Sequence, residues 1–310
     1  MKSFERKLIV IVGQTASGKS ALAVQLALRL SSGQAKKMYG VNGAEVISAD
    51  SRQVYRGLDI GSGKITKKEM AGIPHHLLSI ANPKKIFTVA QYQKLARKAL
   101  KNIWRRGKTP IICGGTGFYV QAVVDGIIIP EVKPNILLRK KLGEKTVEEL
   151  FALLKRKDPE RAKNIDPHNS YRLIRALEII EALGKVPRLK TNLLNADILF
   201  IGIKKEKSEL RQLIEKRLAK RLKRGLIAEV QKLHSQGLSW ARLESFGLEY
   251  RYIAQFLQNK IPKETMKKLI IQGSLNYAKR QITWFKRDKK INWINDKKEA
   301  YPLVKKFIGK

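Results

Sequence analysis

The run Leu8-Ile9-Val10-Ile11-Val12 is continuously apolar and rich in β-branched residues up to Gly13, the pattern of a strand buried on both faces of a parallel sheet. Residues 19–30 follow with helical spacing, which puts Leu22, Leu26 and Leu30 on one face. The order strand, glycine loop, helix then recurs with variations. Residues 45–49 and 110–113 read as strands, the second stopped by Gly114-Gly115, and 89–106 as a helix between them. Such alternation predicts an α/β fold, a mostly parallel sheet with helices flanking both faces. Segment 33–43 holds three glycines and two lysines and reads as a surface loop.

From about Ile128 to Pro187 the strand signal gives way to helices. Thr146 and Glu149 have capping-box spacing ahead of Leu150, Leu153 and Leu154, and residues 171–183 form a second helix that stops at Gly184. Ile198-Leu199-Phe200-Ile201 returns the chain to the sheet, and helices fill 208–224, 227–235 and 263–286. The expected organisation is a catalytic domain made of 1–127 and 188–310, interrupted by a helical insertion domain over 128–187.

Composition adds one strong feature. Sixty-four basic against 26 acidic residues give a formal charge of +38, an electrostatic footprint for a polyanion that RNA, DNA or an anionic membrane surface would each satisfy. The bland alternative is lysine spread over solvated faces. A single cysteine, Cys113, excludes an intramolecular disulfide and any multi-cysteine zinc site, and suits a reducing compartment. No stretch approaches the roughly 20 apolar residues that cross a bilayer. The run 8–12 leads straight into the glycine loop and reads as a core strand rather than a signal peptide, so a cytoplasmic protein without a membrane partner is expected. Nothing indicates an oligomer, and a monomer is expected.

The loop Gly13-Gln14-Thr15-Ala16-Ser17-Gly18-Lys19-Ser20 has full Walker A spacing, set between a predicted strand and a predicted helix. Its backbone N–H groups converge on phosphate oxygens at the positive end of the helix, Lys19 adds a point charge, and the Ser20 hydroxyl suits a Mg²⁺ ligand. The fold is therefore P-loop NTPase-like. The loop alone does not name the reaction: the bound diphosphate belongs to ATP with a phosphoryl group moving, or is the leaving group of an allylic ester with carbon moving.

Asp50 follows the strand 45–49, at the sheet edge that carries the loop. There its carboxylate has three readings: proton acceptor, Mg²⁺ partner through water, or cap of the turn begun by Ser51. The stretch Asp50-Ser51-Arg52-Gln53-Val54-Tyr55-Arg56-Gly57-Leu58-Asp59-Ile60-Gly61 resembles the signature of the tRNA dimethylallyltransferase (tRNA isopentenyltransferase) family. Further matches follow in order, at Gly72-Ile73-Pro74-His75-His76-Leu77, at Gly114-Gly115-Thr116-Gly117-Phe118-Tyr119, at Tyr171 to Glu178 and at Ala278 to Phe285.

The resemblance implies transfer of a dimethylallyl group from dimethylallyl diphosphate to N6 of the adenosine immediately 3′ of the anticodon. It gives catalytic roles to Asp50, Thr116 and Arg217, with Mg²⁺ assisting the diphosphate. It also implies contact with the tRNA anticodon stem-loop at Asp50, Ser51, Arg52 and Gln53, at Tyr171, Arg172, Leu173, Ile174 and Arg175, and at Lys279, Arg280, Gln281, Trp284 and Lys286. For Trp284 and Phe285 themselves, core packing is preferred over stacking on bases. His75 and His76, adjacent and without a third ligand, read as a turn after Pro74 rather than as a metal site.

Three departures from the family pattern stand out. Gln14 replaces a common proline, Gly61-Ser62-Gly63-Lys64 replaces Gly-Thr-Ala-Lys, and Phe246-Gly247-Leu248-Glu249-Tyr250-Arg251 only loosely resembles a segment containing Gly-Tyr. The rival readings are a P-loop small-molecule kinase, a prenyltransferase acting on free adenine nucleotides, and an RNA-binding module with a relic loop.

Overall fold

The structure, a computed structural model, describes residues 6–188 and 190–309. Residues 1–5, 189 and 310, which the expected catalytic domain includes, lie outside the described residues. The chain divides into two compact units, one of residues 1–126 and 193–310, the other of 127–192. The sequence placed the insertion at 128–187.

The larger unit is built on a six-stranded sheet: β1 (Lys7–Gly13), β2 (Ala44–Ser48), β3 (His75–His76), β4 (Thr109–Cys113), β5 (Asp197–Ile203) and β6 (Ile291–Ile294). The order across the sheet is β3-β2-β4-β1-β5-β6, and every pairing is parallel. β1 is central, and its alternation explains its composition. Leu8, Val10 and Val12 face one core, Ile9 and Ile11 the other, so a strand covered on both sides has no place for a polar residue. All strands run the same way, so the turns after their carboxyl ends gather along one edge. Three of those turns carry the Gly-rich loop, Asp50 and Thr116.

Two expectations are corrected. Within 33–43, Gly33–Tyr39 is helical. Ser32 Oγ accepts from Ala35 N at 3.2 Å and Gly40, at φ 66°, ends the helix, so one glycine opens it and a second closes it without dissolving it. His75 and His76 form a short edge strand rather than a turn, in register with Val46 and Ile47 of β2. His76 Nε2 lies 2.8 Å from the Glu45 carboxylate, which also binds Lys108 at 2.8 Å and Arg106. Among the described residues no cluster of metal-ligating side chains occurs, and no helix is long and apolar enough to cross a membrane.

The smaller unit has its own core, in which Leu142, Leu150, Leu154, Leu173, Leu177 and Ile180 pack among four helices. The Thr146–Glu149 capping box forms as its spacing predicts. The two ends of the unit meet at an antiparallel bridge between Ile127 and Thr191. Inside it, Glu178 is 1% exposed and holds Arg139 at 2.8 Å together with Arg175. Burial alone would raise the Glu178 carboxyl, but the two guanidinium groups and the Asn135 N–H outweigh it and hold the pKa down to about 2.

Candidate active site

β1 ends in Gly13 at φ 136°, where a side chain would run into the backbone of Ile203. Gly18 then caps the helix Lys19–Leu30 from the left-handed region, with no side-chain cap and no acidic residue in the first turn. The unpaired N–H groups at this helix start are left for an anion. Ser17 Oγ is buried and has no hydrogen-bond partner among the described residues, a lack that a phosphate oxygen would fill. The Lys19 ammonium donates to the Gln14 carbonyl, and burial, with Arg217 nearby, lowers its pKa to about 8.

The loop is braced from distant parts of the chain. Gln281 Oε1 accepts from Thr15 N at 2.6 Å, while its Nε2 donates to the Gly115 carbonyl at 3.0 Å. Arg217 Nη2 donates to Thr15 Oγ1 at 2.7 Å, and Lys205 N donates to Gln14 Oε1 at 2.7 Å. Gln14, the departure from proline, thus adds a contact that proline lacks. Burial, reinforced by Arg221, lowers Arg217 to a pKa of about 10, so its guanidinium remains charged at neutral pH.

At the end of β2, Asp50 Oδ1 accepts from Arg52 N at 2.8 Å and from Gln53 N at 3.2 Å. The capping reading is therefore realised, but on one oxygen only. Oδ2 makes no hydrogen bond among the described residues, and the charge of Asp50 is close enough to support both the Lys19 and Arg217 cations. Thr116, at the start of the helix Gly117–Val124, accepts from Ser51 N at 3.1 Å through Oγ1 and so joins the β4 turn to the Asp50 turn. Arg52 Nε donates to Phe246 O at 2.6 Å, and Gln53 Nε2 to Gly63 O at 3.3 Å. Asp50, Thr116, Arg217 and the loop thus gather at one sheet edge.

The surface residues divide differently. Tyr171 is 86% exposed, Arg172 is exposed, and Lys279, Arg280 and Lys286 lie on the exposed side of the helix Lys263–Phe285 and its cap. Leu173, at 0% exposure, is part of the smaller unit's core and cannot meet a surface ligand, and half-buried Ile174 packs against the same core. Arg175 is committed to Glu178 and, at 2.9 Å, to the Val132 carbonyl. Gln281, 4% exposed, braces the loop instead of facing outward. Trp284 packs edge-on to Phe118 and fills the space a side chain at Gly117 would take, with Phe285 buried beneath. Together these two aromatics help line a cavity of about 360 Å³.

Reading the sequence missed a buried group behind Arg217. Arg221, one turn on, binds Glu249 at 2.7 Å and the Gly61 carbonyl at 3.1 Å, with both side chains below a tenth exposed. Its guanidinium occupies the place of a side chain at Gly63, and Tyr250 occupies that at Gly61. The two departures at 61–64 and 246–251 are therefore one packing arrangement. The signal available was a charge at 221 in line with Leu210, Ile214 and Leu218, all buried.

A parallel sheet carrying a phosphate loop, a carboxylate and two desolvated cations at one edge defines an α/β P-loop enzyme. The family described as IPP transferase matches residues 53–288. The tRNA dimethylallyltransferase 2 of Citrifermentans bemidjiense is 38% identical, covering 98% of this chain and 95% of that protein. The tRNA dimethylallyltransferase of Anoxybacillus flavithermus is 40% identical over 93% and 90%. Among solved structures, the tRNA isopentenylpyrophosphate transferase of Bacillus halodurans superposes with a TM-score of 0.71 at 34% identity, over 98% of this chain and 97% of that one. A eukaryotic dimethylallyltransferase acting on tRNA gives 0.79 at 26% identity, over 98% and 79%. The chain belongs to the IPP transferase family.

Proposed function

We propose that this enzyme transfers the dimethylallyl group of dimethylallyl diphosphate to N6 of the adenosine immediately 3′ of the anticodon in tRNA, releasing diphosphate. The observation that carries the reading is the facing pair of functions at one sheet edge: an anion cradle with two desolvated cations, and Asp50 with one carboxylate oxygen uncommitted. As the bond between the allylic carbon and the ester oxygen breaks, negative charge grows on the diphosphate. The loop N–H groups, Lys19 and Arg217 are already arranged to receive it. Exocyclic N6 is a weak nucleophile because its lone pair is delocalised into the ring. As the new N–C bond forms, N6 becomes acidic and its proton passes to Asp50 Oδ2. Thr116 holds the Asp50 turn at the right distance through Ser51.

Ser20, exposed at the first helical turn, would hold Mg²⁺ together with diphosphate oxygens, a donor set this ion tolerates because it keeps most of its waters. The ion would neutralise part of the leaving group's charge. The charge of +38, with exposed Arg172, Lys279, Arg280 and Lys286, suits the phosphates of an anticodon stem-loop, and exposed Tyr171 offers a stacking face. An adenine reaching Asp50 must leave its stack.

The test is Asp50→Ala, read by mass spectrometry of nucleosides from treated tRNA and by tRNA binding. Turnover is expected to fall at least about 100-fold, the usual contribution of a general base, with tRNA affinity kept. Unchanged turnover, or transfer of labelled phosphate from ATP without prenyl transfer, would sink the reading.

A further inference from the structure

One more cation stands over the phosphate loop. β6 ends at Ile294, whose carbonyl accepts from Lys204 N at 3.0 Å, so β6 and β5 finish together at the edge that carries the loop. A short 3-10 turn follows, Lys297–Glu299, closed by a capping box: Asp296 accepts from Lys298 N at 2.7 Å, and Glu299 accepts from Asp296 N at 2.7 Å. The box fixes the backbone of Lys297 and leaves its side chain out. That side chain lies across Gly18: a Cβ built on Gly18 would meet Lys297 Cε at 2.9 Å and Nζ at 3.2 Å. The Lys297 ammonium has no ion pair and no side-chain hydrogen bond among the described residues.

A cation set beside the positive start of a helix, in a loop that already holds a desolvated Lys19, is repelled by both. Two acidic residues, Asp296 and Glu299, are within its own turn, yet each turns one carboxylate oxygen onto backbone N–H groups and neither forms an ion pair with Lys297 among the described residues. The arrangement becomes favourable once an anion fills the loop. We propose that Lys297 is a further diphosphate-binding residue, its ammonium closing over the Gly18 side of the loop onto the prenyl donor's diphosphate. This rests on the reading of the loop as a diphosphate cradle. A lysine ammonium here acts as a point charge on phosphate oxygens. Lying on the loop, it adds to the charge that Lys19 and Arg217 set against the departing diphosphate, so its loss lowers kcat/KM for the donor and leaves the tRNA KM alone. The residue falls beyond 53–288, the stretch matched to the family.

The experiment uses the full chain and three variants, Lys297→Ala, Lys297→Arg and Lys297→Glu, with Lys19→Ala as control. Inorganic diphosphate is titrated calorimetrically, and initial rates are measured with varied dimethylallyl diphosphate and varied tRNA. Loss of one partly exposed charge-assisted contact is expected to weaken diphosphate binding and raise donor KM by about 5- to 10-fold in Lys297→Ala. Lys297→Glu loses more, Lys297→Arg recovers most of the affinity, and tRNA KM stays within about twofold in all three. A merely structural lysine would not give this split between the two KM values. Diphosphate binding by Lys297→Ala as tight as that of the unaltered chain overturns the assignment, as does a rise in tRNA KM in place of donor KM. If the unaltered chain itself does not bind diphosphate, the reading of the loop fails and the assignment with it.

Discussion

Gln281 lies within a motif that sequence reasoning gave to tRNA, yet it is 4% exposed and joins the glycine loop to the turn at Gly115. Replacing it with methionine keeps the length and volume of the side chain and removes both polar atoms. The Gly115 carbonyl retains the Tyr277 hydroxyl at 3.4 Å, so the larger loss falls on Thr15 N–H, which is left in the loop without its 2.6 Å acceptor. An orphaned, partly buried donor costs about 2 kcal/mol, equivalent to about 30-fold in an equilibrium or rate constant. Thr15 also receives Arg217, so the relaxation of its turn displaces the cation proposed to face the leaving group. The expected result for Gln281→Met is a fall of about 30-fold in kcat/KM when dimethylallyl diphosphate is varied, with tRNA affinity by filter binding unchanged. Gln281→Glu keeps the acceptor but sets a carboxylate against the Gly115 carbonyl, and should lie between the two. Were the methionine variant to lose tRNA affinity while its donor kinetics stayed normal, Gln281 would be an RNA contact and the bracing argument would be wrong.

Two further outcomes follow from buried charge. Removing Glu249 by Glu249→Ala strands the Arg221 guanidinium and should cost about 3–5 kcal/mol in urea unfolding, whereas Arg221→Met with Glu249→Leu should recover most of that; a double variant no better than the single one would contradict the pairing. The Glu178 carboxyl is held from 4.5 down to about 2, so its stabilisation is complete above pH 4.5 and is lost as pH falls toward 2, worth about 3 kcal/mol to the smaller unit. Protection factors along residues 170–183, corrected for the intrinsic slowing of exchange in acid, should therefore fall between pH 4.5 and pH 2, and the protection in Glu178→Gln, already weaker at pH 6, should hardly respond; equal pH dependence in both proteins would rule the carboxylate out.

The sheet was legible because β1, β2, β4 and β5 are buried on both faces and declare themselves as apolar runs. β6 was missed: it has four residues, with Asn292 and Trp293 breaking the pattern. β3 was missed because two histidines carry no strand signal, and their place is set by register against β2. The loop and Asp50 could be read locally, since a phosphate cradle and a turn after a strand need only neighbouring residues. Side-chain partners between distant segments could not. Leu173 and Arg175 resemble their exposed neighbours Tyr171 and Arg172 in sequence, and only the packing of the helix Ser170–Leu183 separates a core position and an ion pair from a surface. Arg221 reads as one more lysine-like charge on a basic helix until Glu249 meets it.

The bracing of the phosphate loop also sets an order of events during synthesis. Residues 13–20 are made well before their braces: Thr15 finds Arg217 only 202 positions later and Gln281 only 266 positions later. β6 and the helix Ala300–Ile308, which supplies Ala300, Val304 and Ile308 to the core around Ile9 and Ile11, come later still. Contacts of such separation make folding slow and leave the early strands without their partners while the chain is growing. A nascent fragment carrying the complete glycine motif would therefore have a slack loop without its braces, and the finished site would come into being only when those later segments arrive.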